Sequence, residues 1–407
     1  MNGMKDSGVD IINLIPESWT LTRLKYLCQI ETGDSDTQDA EPDGEYPFYV
    51  RSPIVERSTS YTFDGEGILM AGDGAGAGRI FHHAFGKYAV HQRVYRLSKF
   101  QGISSDYLFY YLQNLFDRQM DKGSAQSTVP SVRLPMLQNF YVCVPSKKEQ
   151  VEIAKYVAGK CAEVDATSSE IRAQIDALEQ YKRSVITKVV TKGLSPDVAM
   201  TDSRIQWIGM MPAHWECIRG KYVLKYVQKP VREDDGVITC FRDGEVTLRS
   251  NRREDGFTMA DKEIGYQGID VGDLVVHGMD GFAGAIGISD SRGKASPVLN
   301  VLETDQNKRY IMYFLRSMAY SDVFLALATG IRVRSCDLRW NKLSELFYPI
   351  PPLEEQEAIV AHIDDVIENT NAVIADKKTQ LETLEEYKKS LIFEYVTGKK
   401  EVPLHEG

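Results

Sequence analysis

Seven histidines, six cysteines and two glycine-rich runs are the residues of this 407-residue chain with the most obvious chemistry to offer. The histidines are His82, His83, His91, His214, His277, His362 and His405. His82–His83 has no acid at metal-ligand spacing, and no H-E-x-x-H or G-x-S-x-G occurs. The cysteines, Cys28, Cys143, Cys161, Cys217, Cys240 and Cys336, form no C-x-x-C pair and read as buried free thiols. A glycine-rich run can cradle phosphates. AGDGAGAGRIF (Ala71–Phe81) lacks the Lys-Ser/Thr ending of a P-loop. A dinucleotide fingerprint would need a following helix, yet IFHHAF reads as strand and turn. This run and HGMDGFAGAIG (His277–Gly287) are expected to make tight turns between strands. No catalytic constellation, resident cofactor or metal site is expected.

The elements that position these residues are written twice. PSKKEQ (Pro145–Gln150) returns as PPLEEQ (Pro351–Gln356), and LEQYKRSVITKVVTKG (Leu178–Gly193) returns as LEEYKKSLIFEYVTGK (Leu384–Lys399), both at an offset of 206. Domain starts repeat at an offset of 196: Pro16 and Trp19 match Pro212 and Trp215. Between these landmarks the similarity thins.

Apolar residues recur at heptad spacing after each P-x-x-x-E-Q. The first helix carries Val157, Val164, Ile171, Ile175, Leu178 and Val185; the second carries Ile363, Ile367, Ile374, Leu381, Leu384 and Leu391. Ser168, Lys182, Thr370, Lys377 and Lys388 interrupt the stripes as wet positions. Pro145 and Pro351–Pro352 precede the helices, and Gly193 and Gly398 lie where C-caps do. Each helix of some 44 residues would be roughly 66 Å long. The expectation is an antiparallel coiled-coil pair acting as a ruler. Pairing of each helix with a second chain is the alternative.

Residues 20–148 and 221–345 read as α+β. YPFYV, YTFD, GILMAG, YAVHQRVYRL and NFYVCV look like strands in the first, and GVITCF, LVVHG, AIGISD and VLNVLE in the second. One helix is expected in each, over Ser105–Met120 and Lys308–Ala326. The fold class is thus α+β: two similar globular domains separated by two long antiparallel helices, with a pseudo-twofold internal repeat. The division is 1–148, first domain; 149–193, central helix; 194–348, linker and second domain; 349–407, C-terminal helix and tail.

Hydrophobic residues make up 43% of the chain, an ordinary globular share, and no apolar run of about 18 residues calls for a membrane span. A cytoplasmic location is expected. The formal net charge of −10 argues against a uniformly basic protein. Residues 20–148 and 221–345 are each neutral by count, so the acid excess lies in the connecting segments. Local nucleic-acid binding stays open, because a footprint depends on charge distribution.

In the P-x-x-W starts, the P-x-x-x-E-Q entrances and the twin L-E-x-Y-K-x-S segments, the chain resembles the specificity subunit of type I restriction–modification enzymes along nearly its whole length. The resemblance implies two target-recognition domains, each reading one half of a split site in double-stranded DNA. It implies helices that set the spacer and bind two methyltransferase subunits, with two restriction subunits joining for cleavage. It also implies no catalytic centre here, with S-adenosylmethionine, ATP and Mg held by partner subunits. The missing N/D-P-P-Y/F and P-loop motifs fit that division of labour.

Base reading needs polar side chains at base edges, while phosphate contacts only position the protein. The candidates are Arg79, His91, Gln92 and Arg93 by the first glycine run, and Gln126, Ser127 and Thr128 in a polar loop after the first helix. In the second domain they are Arg249, Arg252 and Arg253 of RSNRR, His277, and Arg332 and Arg334 of TGIRVR. Neutral domains gain little from counterion release, so the isolated subunit should bind DNA modestly and salt-sensitively. Lengthening the first helix by four residues before Leu178 should lengthen the spacer. The competing readings are a non-enzymatic adaptor with two protein-binding domains on the same helical spacer, and a stand-alone enzyme.

Overall fold

The computed structural model describes residues 3–120, 131–252, 264–326 and 338–403. Four helices organise it: α1 (Ser105–Met120), α2 (Lys147–Lys192), α3 (Lys308–Tyr320) and α4 (Leu353–Val396). α1 spans the expected residues, and α2 starts two residues before the expected 149 and ends one before the expected 193. The helix expected over Lys308–Ala326 stops at Tyr320, because Asp322 takes a left-handed φ of 55°; a short turn follows at Val323–Ala326.

The P-x-x-x-E-Q motif has a physical role at both helix entrances. Ser146 and Glu149 form a capping box: the Ser146 N–H donates to Glu149 Oε2 at 2.9 Å, and the Glu149 N–H donates to Ser146 Oγ at 3.4 Å. Glu149 also accepts from Trp19 Nε1 at 3.1 Å. Gln150 is buried and holds the start of α1: its Oε1 accepts from the Ser104 N–H at 2.6 Å, while its Nε2 donates to Gly102 O and Pro145 O. The copy repeats this. Glu355 accepts from Trp215 Nε1 at 3.0 Å, and Gln356 accepts from the Asn307 N–H and donates to Pro351 O. The motif therefore fastens each domain to the root of its following helix. At the other ends Gly193 and Gly398 adopt left-handed φ of 72° and 71°, as helix C-caps do.

The chain forms two compact units that differ from the segment-by-segment division, because each takes half of both long helices. Unit 1 comprises Met1–Ile171 with Lys378–Gly407, and unit 2 comprises Arg172–Lys377. In unit 1, Ile153, Ala154, Val157 and Cys161 of α2 share a core with Leu391, Ile392, Tyr395 and Val396 of α4. Tyr156 meets Tyr395 at 4.7 Å between ring centroids, and Lys388 Nζ donates to Asp165 at 2.6 Å. In unit 2, Lys182 Nζ donates to Asn371 Oδ1 at 2.7 Å and Lys377 Nζ to Gln174 Oε1 at 2.5 Å. Within each unit one number rises as the other falls, so the two halves run antiparallel. The three interrupting lysines thus make the cross-helix polar contacts. Val157, Val164, Ile171, Ile363, Ile374 and Leu391 are buried; Ile175, Leu178, Val185, Ile367, Leu381 and Leu384 are half-buried. Among the described residues no helix is long and apolar enough to cross a membrane.

Each unit has its own central four-stranded antiparallel sheet. In unit 1 the strands are β1 (Gln29–Thr32), β2 (Gly67–Ala71), β3 (Phe81–Ala84) and β4 (Val94–Ser98), in spatial order β1-β4-β2-β3. In unit 2 they are β5 (Lys225–Val227), β6 (Leu274–His277), β7 (Ile286–Ile288) and β8 (Leu299–Glu303), in the matching order β5-β8-β6-β7. IFHHAF is strand and turn, so the glycine run before it joins β2 to β3. The outer layers differ. Unit 1 pairs Tyr46–Tyr49, Glu56–Ser58, Phe63–Asp64 and Lys87–Val90 in one sheet. Among the described residues unit 2 has two two-stranded pieces, Ile238–Cys240 with Val246–Leu248 and Gln267–Ile269 with Gly293–Ala295, linked by a single bridge between Val237 and Lys294. Of the cysteines, Cys28, Cys143, Cys161 and Cys240 are free and buried, Cys217 is free and half-buried, and Cys336 lies outside the described residues.

Candidate nucleic-acid interface

Polar residues converge at the same end of the central strand in both units. In unit 1 this is the turn after β2. The Val132 N–H donates to Gly72 O at 2.8 Å, and Tyr95 Oη on β4 donates to Val132 O. A Cβ on Gly72 would lie 2.9 Å from Arg93 O, so only glycine fits there. In unit 2 the Leu338 N–H donates to Gly278 O at 2.8 Å, and Asn300 Nδ2 on β8 donates to Leu338 O. Two domains with diverged sequences thus bring the chain back to the same strand end by the same bonds.

Next to that glycine stands a carboxylate. Asp73 Oδ1 accepts from Arg51 Nη1 at 2.8 Å, and Oδ2 from Arg93 Nη1 at 2.8 Å. Burial works to raise the Asp73 carboxyl, but the two guanidinium groups outweigh it and hold it below its ordinary value. In unit 2, Asp280 Oδ1 accepts from Arg242 Nη2 at 2.8 Å. Arg242 and Asp280 line a hollow of about 580 Å³ with Arg249, Arg252 and His277. Arg252 is braced by Asp243 at 2.6 Å and Glu245 at 3.1 Å, and its guanidinium lies 4.2 Å from the Phe241 ring centroid. Arg249 Nε donates to Thr239 Oγ1 at 3.4 Å.

The sequence-predicted residues other than His91 fall into four groups. Arg93 and the exposed Gln92 lie in the turn beside Asp73. Arg249, Arg252 and His277 are brought together around the second hollow. Arg79 goes elsewhere: it donates to both carboxylate oxygens of Asp117 on α1. Gln126, Ser127, Thr128, Arg253, Arg332 and Arg334 lie outside the described residues.

His91 differs from a surface reading residue. It is 2% exposed, its Nδ1 accepts from the Arg93 N–H at 3.1 Å, and its Nε2 lies 3.3 Å from Thr37 Oγ1. It shapes the turn that carries Arg93. His277 does the same, accepting from the Met279 and Asp280 N–H groups. Burial lowers the proton affinity of both imidazoles; Arg51 adds to this at His91, and Asp280 opposes it at His277.

Sequence reading missed Arg51, Asp73, Arg242 and Asp280. Their available signal was an aspartate inside each glycine run. Among the described residues no three or more His, Cys, Asp or Glu side chains gather as a metal-ligand set. The arrangement offers guanidinium donors on braced turns, suited to oxygen and ring-nitrogen acceptors such as base edges and phosphates.

Comparison with known proteins agrees with this picture. Residues 16–176 match the family described as type I restriction modification DNA specificity domain. The chain is 23% identical to the type I restriction enzyme EcoDI specificity subunit of Escherichia coli, over 86% of this chain and 82% of that protein. It is 25% identical to the type I restriction enzyme MjaVIII specificity subunit of Methanocaldococcus jannaschii, over 95% of this chain and 93% of that protein. Its fold matches a solved chain from work on complex assembly and conformational transition of the type I R-M system. That match has a TM-score of 0.66 and 14% identity, covering 95% of this chain and 99% of the other.

Proposed function

We propose that this chain, which belongs to the type I restriction–modification specificity-subunit family, serves that system by reading a bipartite DNA site, one half with each unit. The observation that carries the reading is the duplicated strand end. Two units keep one scaffold, with the same return bonds at Gly72 and Gly278, and place different arginines on it. An adaptor that binds proteins has no need of guanidinium groups braced beside both turns, and is not favoured.

In the full reading, residues near 20–148 recognise one half-site and residues near 221–345 the other. The long helices set the spacer and present surfaces to two methyltransferase subunits, and two restriction subunits join for cleavage. The subunit has no catalytic centre and no resident cofactor. S-adenosylmethionine, ATP and Mg belong to its partners, and the complex works in the cytoplasm. Support comes from the family resemblance and from the helix pairing inside each unit.

Co-expression with a methyltransferase of the same system, in a host lacking other DNA methylation, tests this by whole-genome mapping of modified bases. Methylation confined to one motif with two defined halves and an undefined spacer is expected. A single undivided motif, or activity without sequence preference, would overturn the reading.

A further inference from the structure

We propose that Asp73 and Asp280 are positioning residues that hold Arg51 with Arg93, and Arg242, as base-reading donors for the two half-sites. This rests on the reading that each unit recognises DNA, and it names the side chains that discriminate.

Both carboxylates occupy the same place in the fold. Each carboxylate follows the central-strand glycine that receives the returning chain, Gly72 in one unit and Gly278 in the other. Arg51 and Arg242 arrive from outer layers that differ between the units, while the place of Arg93 is taken in unit 2 by the uncharged Val298: the Gly72 N–H donates to Arg93 O at 2.9 Å and the Gly278 N–H to Val298 O at 2.8 Å. Arg51 follows the strand Tyr46–Tyr49 and Arg93 sits in the turn after Lys87–Val90. Arg242 lies in the turn between Ile238–Cys240 and Val246–Leu248. The scaffold keeps the socket while the outer layers supply different cations. A device that changes specificity without changing the frame would be built this way.

Charge and geometry suit both sites to an acceptor. Asp73 balances only one of its two guanidinium groups, so this ion triad has a positive excess. Arg93 and Arg242 are 59% and 66% exposed. A guanidinium has five N–H donors. Among the described residues each of these three spends one on its aspartate, which leaves the others to meet an acceptor. Ion pairs whose cations lie open to solvent, as at Arg93 and Arg242, add little to stability, so folding alone does not account for these two. A braced guanidinium loses less freedom on forming two parallel bonds, and the major-groove edge of guanine offers O6 and N7 in that geometry. His91 strengthens the brace by accepting from the Arg93 N–H.

The test uses the complete complex of this chain with its methyltransferase subunits. Its affinity is compared for the cognate duplex and for duplexes with one base pair changed in either half. D73N and R51K should each reduce discrimination by about 5- to 150-fold at one or two positions of one half-site, the range expected for a bidentate contact. Discrimination in the other half-site should persist. D280N and R242K should do the reverse. R51K is the decisive variant, because lysine keeps the charge and can still pair with Asp73. A purely structural ion pair would tolerate it; a forked base contact would not. Discrimination preserved in R51K and R242K, in complexes that melt like the parent, would overturn the proposal. So would equal weakening on every duplex with a smaller salt slope, which would identify phosphate contacts instead. If the parent complex shows no split preference, the specificity reading itself fails, which a parent-only measurement distinguishes.

Discussion

Replacing Gln150 by alanine should destabilise unit 1 by about 3–4 kcal/mol. The side chain is 1% exposed and makes three hydrogen bonds: it accepts from Ser104 N–H at 2.6 Å and donates to Gly102 O at 3.1 Å and Pro145 O at 2.9 Å. A buried intramolecular hydrogen bond contributes about 1 kcal/mol net, which gives about 3 for the set. The lost side-chain methylene adds up to about 1 more. The damage should be local, because the three partners flank the starts of α1 and α2. Hydrogen exchange read by mass spectrometry at low denaturant provides the assay. Peptides covering 103–112 and 147–157 should lose protection, while 308–320 of unit 2 should not. Q356A should reverse that pattern, since Gln356 makes equivalent bonds to Asn307 and Pro351. A cost below about 1 kcal/mol, or equal loss of protection in both units, would refute the view that the E-Q pair fastens each domain to its own helix.

Acid should loosen both candidate interfaces. His91 and His277 bind protons less readily when folded than when unfolded. The unfolded chain therefore takes up more protons as the pH falls through the ordinary histidine value of about 6.5, and stability drops from there downward. The groups facing His91 are Arg51, Arg93, Asp36 and Asp73, and those facing His277 are Arg242 and Asp280. The melting temperature should fall between pH 7.5 and 5.5, and H91Q together with H277Q should flatten that fall; an unchanged slope in the double variant would contradict the assignment. Spacer length should follow helix length. The cross-helix pairs Gln174–Lys377 and Lys182–Asn371 call for matched insertions in both helices rather than in α2 alone. One heptad inserted between the paired positions in each helix adds about 10.5 Å and preserves the seam. The mapped motif should then gain about three spacer base pairs, at about 3.4 Å each, with both halves unchanged. An unaltered spacer would contradict the ruler. The isolated chain should bind DNA modestly and lose affinity as salt rises, because residues 20–148 and 221–345 are each electrically neutral by count. Tight, specific gel shifts without the methyltransferase would refute this.

Much of the frame was legible in the residues because its signals are local. Proline before a helix, a capping box, heptad spacing and a glycine just past the last turn bounded α2 and α4 to within a residue or two. Alternating or buried apolar runs located β2, β4, β6 and β8. The repeat also marked the E-Q pairs as important before the structure assigned them bonds. What escaped depends on distant partners. Arg51 and Asp73 are 22 positions apart and meet only because two strands end side by side. Nothing local distinguishes Asp73 from any other turn aspartate. His91 was read as a DNA-contact candidate because it lies near the glycine run, yet backbone N–H donation to its ring lets it be buried. The cut between units falls in the middle of two continuous heptad patterns, where periodicity carries no boundary. The break at Asp322 is a backbone conformation that the surrounding helix-favouring residues conceal.

The central claim is that each unit reads its own half of the target. Its most direct measurement is the methylated motif after residues 20–148 are exchanged for the matching segment of a similar specificity subunit, with the helices and residues 221–345 untouched. One half of the motif should change to the donor's, while the other half and the spacer stay as they were. A motif unchanged by the exchange, or altered in both halves, would contradict the account.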